Sequence, residues 1–406
     1  MQLADVPLIL LLVGLAAYAV LGGADFGAGF WQLGGGPGGR GREIREHAHH
    51  AMGPVWETNH VWLIFVLVIC WTAYPSAFGS IASTLSVPLF VAGIGIVLRG
   101  TTYALRSGTA TPREQRLVEV VFAVSSILTP FALGAVIGGI ASGRVPVGNA
   151  EGDLWSSWLN STSIFIGVLS VATAAYLSAV YLAADAVRIG RPDLVRAFRA
   201  RALGTGVVAG AIAMAGLPVV RHDARPIWDG LASGAGLGAV IVSAAAGLVT
   251  LALVFRSRFE PARATAALAV AAIIAGWALA QRPRFLPGLT VEEAAASRGA
   301  LIAVIVGVGI GALLLVPSLA LLFGLFLRGR FDPHAVEQAV VEEPRERATA
   351  VRPQLGLLAV GCLGVGATLT FFFEASWAHI VGIPALLAFV GLGFVALAAV
   401  VAEAER

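Results

Sequence analysis

The chain has 406 residues, 58% of them apolar and only 13% charged, with a formal net charge of +3 and a mean hydropathy of +0.85. Such a composition excludes a water-soluble globular fold and a disordered chain, and it requires an integral membrane protein. All 27 basic residues are arginine, dispersed over several loops, which speaks against a nucleic-acid-binding face.

A helix crossing the hydrocarbon core needs about 20 apolar residues. Eleven runs are predicted as such spans: 7–30, 55–74, 81–103, 118–140, 163–184, 202–220, 236–255, 264–280, 301–327, 355–373 and 380–402. Their apolar character is continuous and lacks period-2 alternation, so the fold class expected is an all-α polytopic bundle and not a transmembrane barrel.

The first run follows Met1-Gln2-Leu3-Ala4-Asp5 without a basic leader, so it is expected to remain as a helix and not be cleaved as a signal peptide. It ends in Leu21-Gly22-Gly23-Ala24-Asp25-Phe26-Gly27-Ala28-Gly29-Phe30. Gly23 and Gly27 share a face and permit close helix approach. Asp25 lies near the end of the span, either as a functional acid within the membrane or as a carboxylate reaching interfacial water. The next stretch, 34–50, starts as a Gly/Pro linker and becomes Arg42-Glu43-Ile44-Arg45-Glu46-His47-Ala48-His49-His50, the pattern of a short interfacial helix. Its three histidines are read as solvated and not as metal ligands, because the segment alone supplies no defined ligand geometry.

Gly53-Pro54-Val55-Trp56-Glu57-Thr58-Asn59-His60-Val61-Trp62-Leu63-Ile64 opens the second span. Helical spacing puts Trp56 with Asn59 on one face and Glu57 with His60 on the neighbouring one. A carboxylate withdrawn from water holds its proton more readily, and an imidazole titrates near neutrality, so this cluster suits proton handling. Glu57 could instead complement the positive end of the helix dipole. His60 lacks a second inward ligand that would make it a haem or metal site.

Arg99 is the one basic residue inside a span. Cys70 and Cys362 lie in separate apolar runs without metal-ligand spacing and are read as core residues. Residues 331–353 form a charged connector of mixed sign, and Glu374 and His379 fall in a turn between the last two spans. With the N-terminus outside, twenty arginines fall in cytoplasmic segments and six, Arg144, Arg221, Arg225, Arg282, Arg284 and Arg298, fall outside. This asymmetry predicts a cytoplasmic C-terminus.

Taken together, the glycine-rich Asp25 motif and the Trp56-Glu57-Thr58-Asn59-His60 motif resemble subunit II of the cytochrome bd-type quinol oxidases. The likeness continues through Arg99, Tyr103 and Arg106, through Pro130 and Gly134, through Arg196-Ala197-Phe198-Arg199-Ala200-Arg201, and through Leu289-Thr290-Val291-Glu292-Glu293. It implies a nine-helix core of two four-helix bundles and a peripheral helix over residues 1–330. A charged connector at 331–354 and an additional two-helix membrane segment at 355–406 would follow.

The resemblance further implies a partner subunit I carrying haems b and d, quinol as substrate of the complex, and a bacterial-type inner membrane location among lipids and quinone. A small accessory subunit is a further candidate partner, and no nucleic acid is expected. No cofactor site or metal is expected in this chain. Asp25 and Glu57 are carried over as a cytoplasmic proton route, with Trp56 and Asn59 supporting it. Two positions depart from the family pattern: Gly22 stands where an acid is common, and Glu57 replaces an aspartate. Two other classes fit buried acids beside glycine-rich helices. A proton-coupled transporter would need inverted repeats and interrupted helices, and an assembly scaffold would carry inert polar residues.

Overall fold

In the computed structural model, residues 2–33, 38–51, 56–105, 111–327, 353–372 and 376–403 are described. Gly53, Pro54, Val55, Arg106, Glu374 and nearly all of the 331–354 connector lie outside them. Eight described helices are long and apolar enough to cross a membrane, and three shorter apolar helices fall at Glu57–Ala73, Gln354–Leu369 and Ile380–Phe389. The described residues of all eleven predicted runs are thus predominantly helical.

The first pass is α1 (Asp5–Ala17), a π-helical turn at Tyr18–Gly22, and α2 (Gly23–Leu33). After the interfacial α3 (Gly39–His50) come α4 (Trp56–Ala73), α5 (Pro75–Thr84), α6 (Ser86–Leu105) and α7 (Pro112–Ala141). The single predicted run 81–103 is in fact broken at Leu85. Pro88 explains the restart, since proline is tolerated in a first helical turn, where its missing N–H has no intrahelical partner. The 30-residue α7 starts on a capping box in which Thr111 and Glu114 satisfy each other's backbone N–H groups.

The second group comprises α8 (Ser161–Arg188), α9 (Pro192–Asp223), α10 (Arg225–Leu231), α11 (Gly234–Phe255) and α12 (Phe259–Gln281). The side chain of Asn160 caps α8 by accepting from the Ser163 N–H at 2.9 Å. Asp223, at the end of α9, takes a two-pronged contact from Arg144 at 3.1 and 2.5 Å and accepts from the Thr162 hydroxyl at 2.6 Å. That cluster ties the ends of α7, α8 and α9 together.

Around Leu289-Thr290, where the sequence resembled a family motif, the chain makes a small antiparallel hairpin of β1 (Arg284–Leu286) and β2 (Leu289–Thr290), then α13 (Val291–Ala294) and α14 (Arg298–Leu327). Gly288 closes this hairpin at φ 75°, a left-handed conformation that glycine adopts without penalty.

Two compact units divide the chain, Met1–Leu315 and Val316–Arg406. Within the first, α2 packs against both α7 and α8, α1 packs against α4, and α8 packs on α9 and α12 while α11 packs on α9 and α12. One apolar core joins α2, α3, α8, α9 and α12, and another joins α1, α4, α5 and the hairpin. Within the second unit, α15 (Pro353–Phe372) and α16 (Ser376–Glu403) pack together, with Gly366 against Leu386.

Candidate functional site

Glycine brings the site's helices together. A Cβ at Gly27 would overlap the backbone carbonyl of Ala174 on α8, and one at Gly29 would overlap the Ser126 side chain on α7 and meet Arg99 Nη1 at 2.9 Å. Only a residue without a side chain permits α2 to lie this close to both helices. The approach delivers Asp25 into the bundle, where it is 2% exposed. Asp25 therefore does not reach interfacial water.

Its partner is Arg99 of α6, itself 1% exposed. Nη2 of Arg99 donates to Asp25 Oδ1 at 3.0 Å and to the Asp25 backbone carbonyl at 2.8 Å. Nη1 donates to the hydroxyl of Ser126, which in turn donates to the Phe122 carbonyl at 2.6 Å. The guanidinium lies 4.5 Å from the Phe122 ring centroid and 5.0 Å from that of Phe26. The arginine fork thus clamps α2, α6 and α7 through charge, hydrogen bonds and cation–π contact. Asp25 Oδ2 has no hydrogen-bond partner among the described residues.

Beside this pair lies the π-helical turn Tyr18–Gly22. A π turn inserts one residue into the helix and frees backbone groups, a feature concentrated at functional sites. Asn59 answers it directly, its buried amide donating to the Leu21 carbonyl at 3.3 Å. His60, the next residue, sets Nδ1 3.4 Å from the Tyr18 hydroxyl. Its ring lies 6.0 Å from the ring of Tyr18 and 5.9 Å from that of Phe26.

Glu57 faces the other way. It is exposed and heads a stripe at helical spacing in which Val61, Ile64, Val68 and Trp71 are 45–62% exposed. Of the residues read from the sequence, Asp25, Asn59 and His60 therefore converge on the interior. Glu57 stands on the outer rim of α4, and the side chain of Trp56 lies outside the described residues. Arg99 is the principal member that sequence reasoning left without a partner.

Of the three α3 histidines, His47 departs from the solvated reading, whereas His49 is half-buried and His50 exposed. His47 is buried: its Nε2–H donates to the Leu182 carbonyl at 3.0 Å, its ring stacks 5.5 Å from that of Phe198, and Asp185 Oδ2 lies 4.0 Å away. His47 thus pins α3 to the end of α8. Among the described residues no group of three or more His, Cys, Asp or Glu is arranged to hold a metal ion.

Three comparisons bear on this arrangement. The family described as "Cytochrome bd terminal oxidase subunit II" matches residues 3–326, a stretch that includes every residue of the site. A relative from Bacillus subtilis (strain 168), provisionally described as cytochrome bd menaquinol oxidase subunit II, is 27% identical over 231 residues, covering 53% of this chain and 61% of that protein. The bd oxidase structure from Geobacillus thermodenitrificans contains a chain of the same fold, with a TM-score of 0.61 and 24% identity, covering 80% of this chain and 99% of that one.

Proposed function

This chain belongs to the cytochrome bd terminal oxidase subunit II family, and on that premise we propose that it is the subunit II of a respiratory quinol:oxygen oxidoreductase, working only beside a haem-bearing subunit I. In this reading haems b and d reside in the partner, quinol is the substrate of the complex, and oxygen is reduced to water there. The chain supports the haem subunit and helps bring cytoplasmic protons to the reaction. It lies in a bacterial-type inner membrane with its N-terminus outside and its C-terminus in the cytoplasm, as the arginine asymmetry favours.

The observation that carries this reading is the family match, which embraces a constellation costly to maintain without use: a charged pair, an imidazole and a phenol inside a membrane bundle. Glu57, at the head of an exposed apolar stripe, suits a carboxylate that receives protons at a subunit boundary. Trp56 and Asn59 support this entry, Asn59 by bracing the π turn.

A second role is favoured for Asp25. Its direct pairing with Arg99 suits a brace that holds α2, α6 and α7 in register for assembly. The two roles separate experimentally in the complex co-expressed with subunit I. Glu57→Gln should retain haem while quinol-supported oxygen consumption per haem falls at least about tenfold, a conservative figure for loss of a positioned proton-transfer group. Asp25→Asn should lower haem content if the acid is a brace, or turnover per haem if it conducts. Wild-type turnover in both variants and in their combination, from about pH 6 to about pH 9, would refute the proton route.

A further inference from the structure

Glu57 at the rim and Asp25 in the interior leave a gap between entry and bundle centre, and the groups that occupy it are Tyr18 and His60. His60 follows Glu57 by three residues on α4, one helical turn deeper, or about 4.5 Å at 1.5 Å rise per residue. Its Nδ1 meets the Tyr18 hydroxyl at 3.4 Å. Tyr18 is 6% exposed, and its phenol lies within electrostatic reach of both Asp25 and Arg99.

The local backbone is shaped around this contact. A Cβ at Gly22 would stand 2.9 Å from the Tyr18 ring, so only glycine leaves room for the phenol along its own helix. The π turn that starts at Tyr18 sets the angle at which that ring leaves the helix, and Asn59, the immediate neighbour of His60, holds the turn by its Leu21 carbonyl. The same two residues of α4 therefore brace the turn and address its phenol. Phe26 lies on the third side, with its ring 6.4 Å from Tyr18 and 5.9 Å from His60.

We infer that Tyr18 and His60 form a proton relay linking the Glu57 end of α4 to the interior of the bundle. The inference rests on the proton-delivery reading above and specifies which groups carry it. A proton arriving on the neutral imidazole at Nε2 gives the imidazolium. The imidazolium releases the Nδ1 proton to the Tyr18 oxygen as the phenol passes its own proton to a buried water, so the tyrosine ends with the proton count it began with. The imidazole regains its starting tautomer by exchange. The charged group acting on His60 is Arg99 from α6, while Asp25 from α2 and Arg99 act on Tyr18; Glu57, on the same helix as His60, points outward.

The test uses the complex assembled with subunit I, scoring turnover per haem against pH and in H2O against D2O. Tyr18→Phe keeps the ring that fills the space beside Gly22 and removes only the hydroxyl; His60→Gln keeps hydrogen bonding and removes the titrating ring. Each should lower turnover per haem at least about tenfold, with a changed pH profile and an enlarged solvent isotope effect. Wild-type turnover per haem and an unaltered pH profile in both variants would overturn the relay, even if haem content fell. If Glu57→Gln is impaired while these two are not, the relay fails and proton delivery through this subunit stands. If all three are unimpaired, both fail.

Discussion

At the scale of single residues, the Asp25–Arg99 pair has the clearest energetic consequence. Breaking a buried ion pair by removing one partner costs about 3–5 kcal/mol, because the survivor is left charged and without compensation. Arg99→Gln should therefore lower the yield of assembled, haem-containing complex and its thermal stability. Arg99→Lys should restore it only in part, since an ammonium cannot span the Asp25 carboxylate, the Asp25 carbonyl and Ser126 at once. Equal stability of wild type, Arg99→Gln and Arg99→Lys would remove the brace from the account. Sequence alone singled out both residues as charges within spans, but not their pairing. Asp25 and Arg99 are 74 positions apart, and no helical periodicity relates them. The shared face that i, i+3 spacing suggested for Glu57 and His60 is corrected by the structure: Glu57 aligns with the exposed Val61, Ile64, Val68 and Trp71, whereas His60 turns toward Tyr18.

At the scale of elements, the bundle depends on how closely α2 approaches α7 and α8. Gly27 lies against the α8 backbone itself, which cannot swing aside as a flexible side chain would. Gly27→Leu should thus separate the helices, dislodge Asp25 from Arg99 and abolish accumulation of the complex. By contrast Gly307→Leu on α14, where a Cβ meets nothing within 4 Å, should be tolerated in the folding of this chain. Immunoblots of membrane fractions, with haem spectra alongside, check both; normal accumulation of Gly27→Leu would show that the approach is not required. Helical segments were legible because apolar length is dictated by the bilayer. Irregular elements were not. The π turn at Tyr18–Gly22 is set by tertiary partners such as Asn59, and the β1–β2 hairpin involves only Arg284–Leu286 and Leu289–Thr290, too short to impose a period on the sequence.

At the scale of the whole molecule, a chain with 58% apolar residues and a match to one subunit family across residues 3–326 is expected to act only in company. The membrane fold follows from composition. The central claim is therefore association with a haem-bearing subunit in a quinol-oxidising complex. It is tested most directly by purifying the complex in mild detergent through an affinity tag on this chain and recording reduced-minus-oxidised spectra with quinol-driven oxygen uptake on the same sample. The account predicts a co-purifying haem-bearing subunit in fixed ratio, b- and d-type haem bands, and oxygen consumption dependent on added quinol. Recovery of this chain without a haem-bearing partner, or haem bound stoichiometrically to this chain alone, would contradict it.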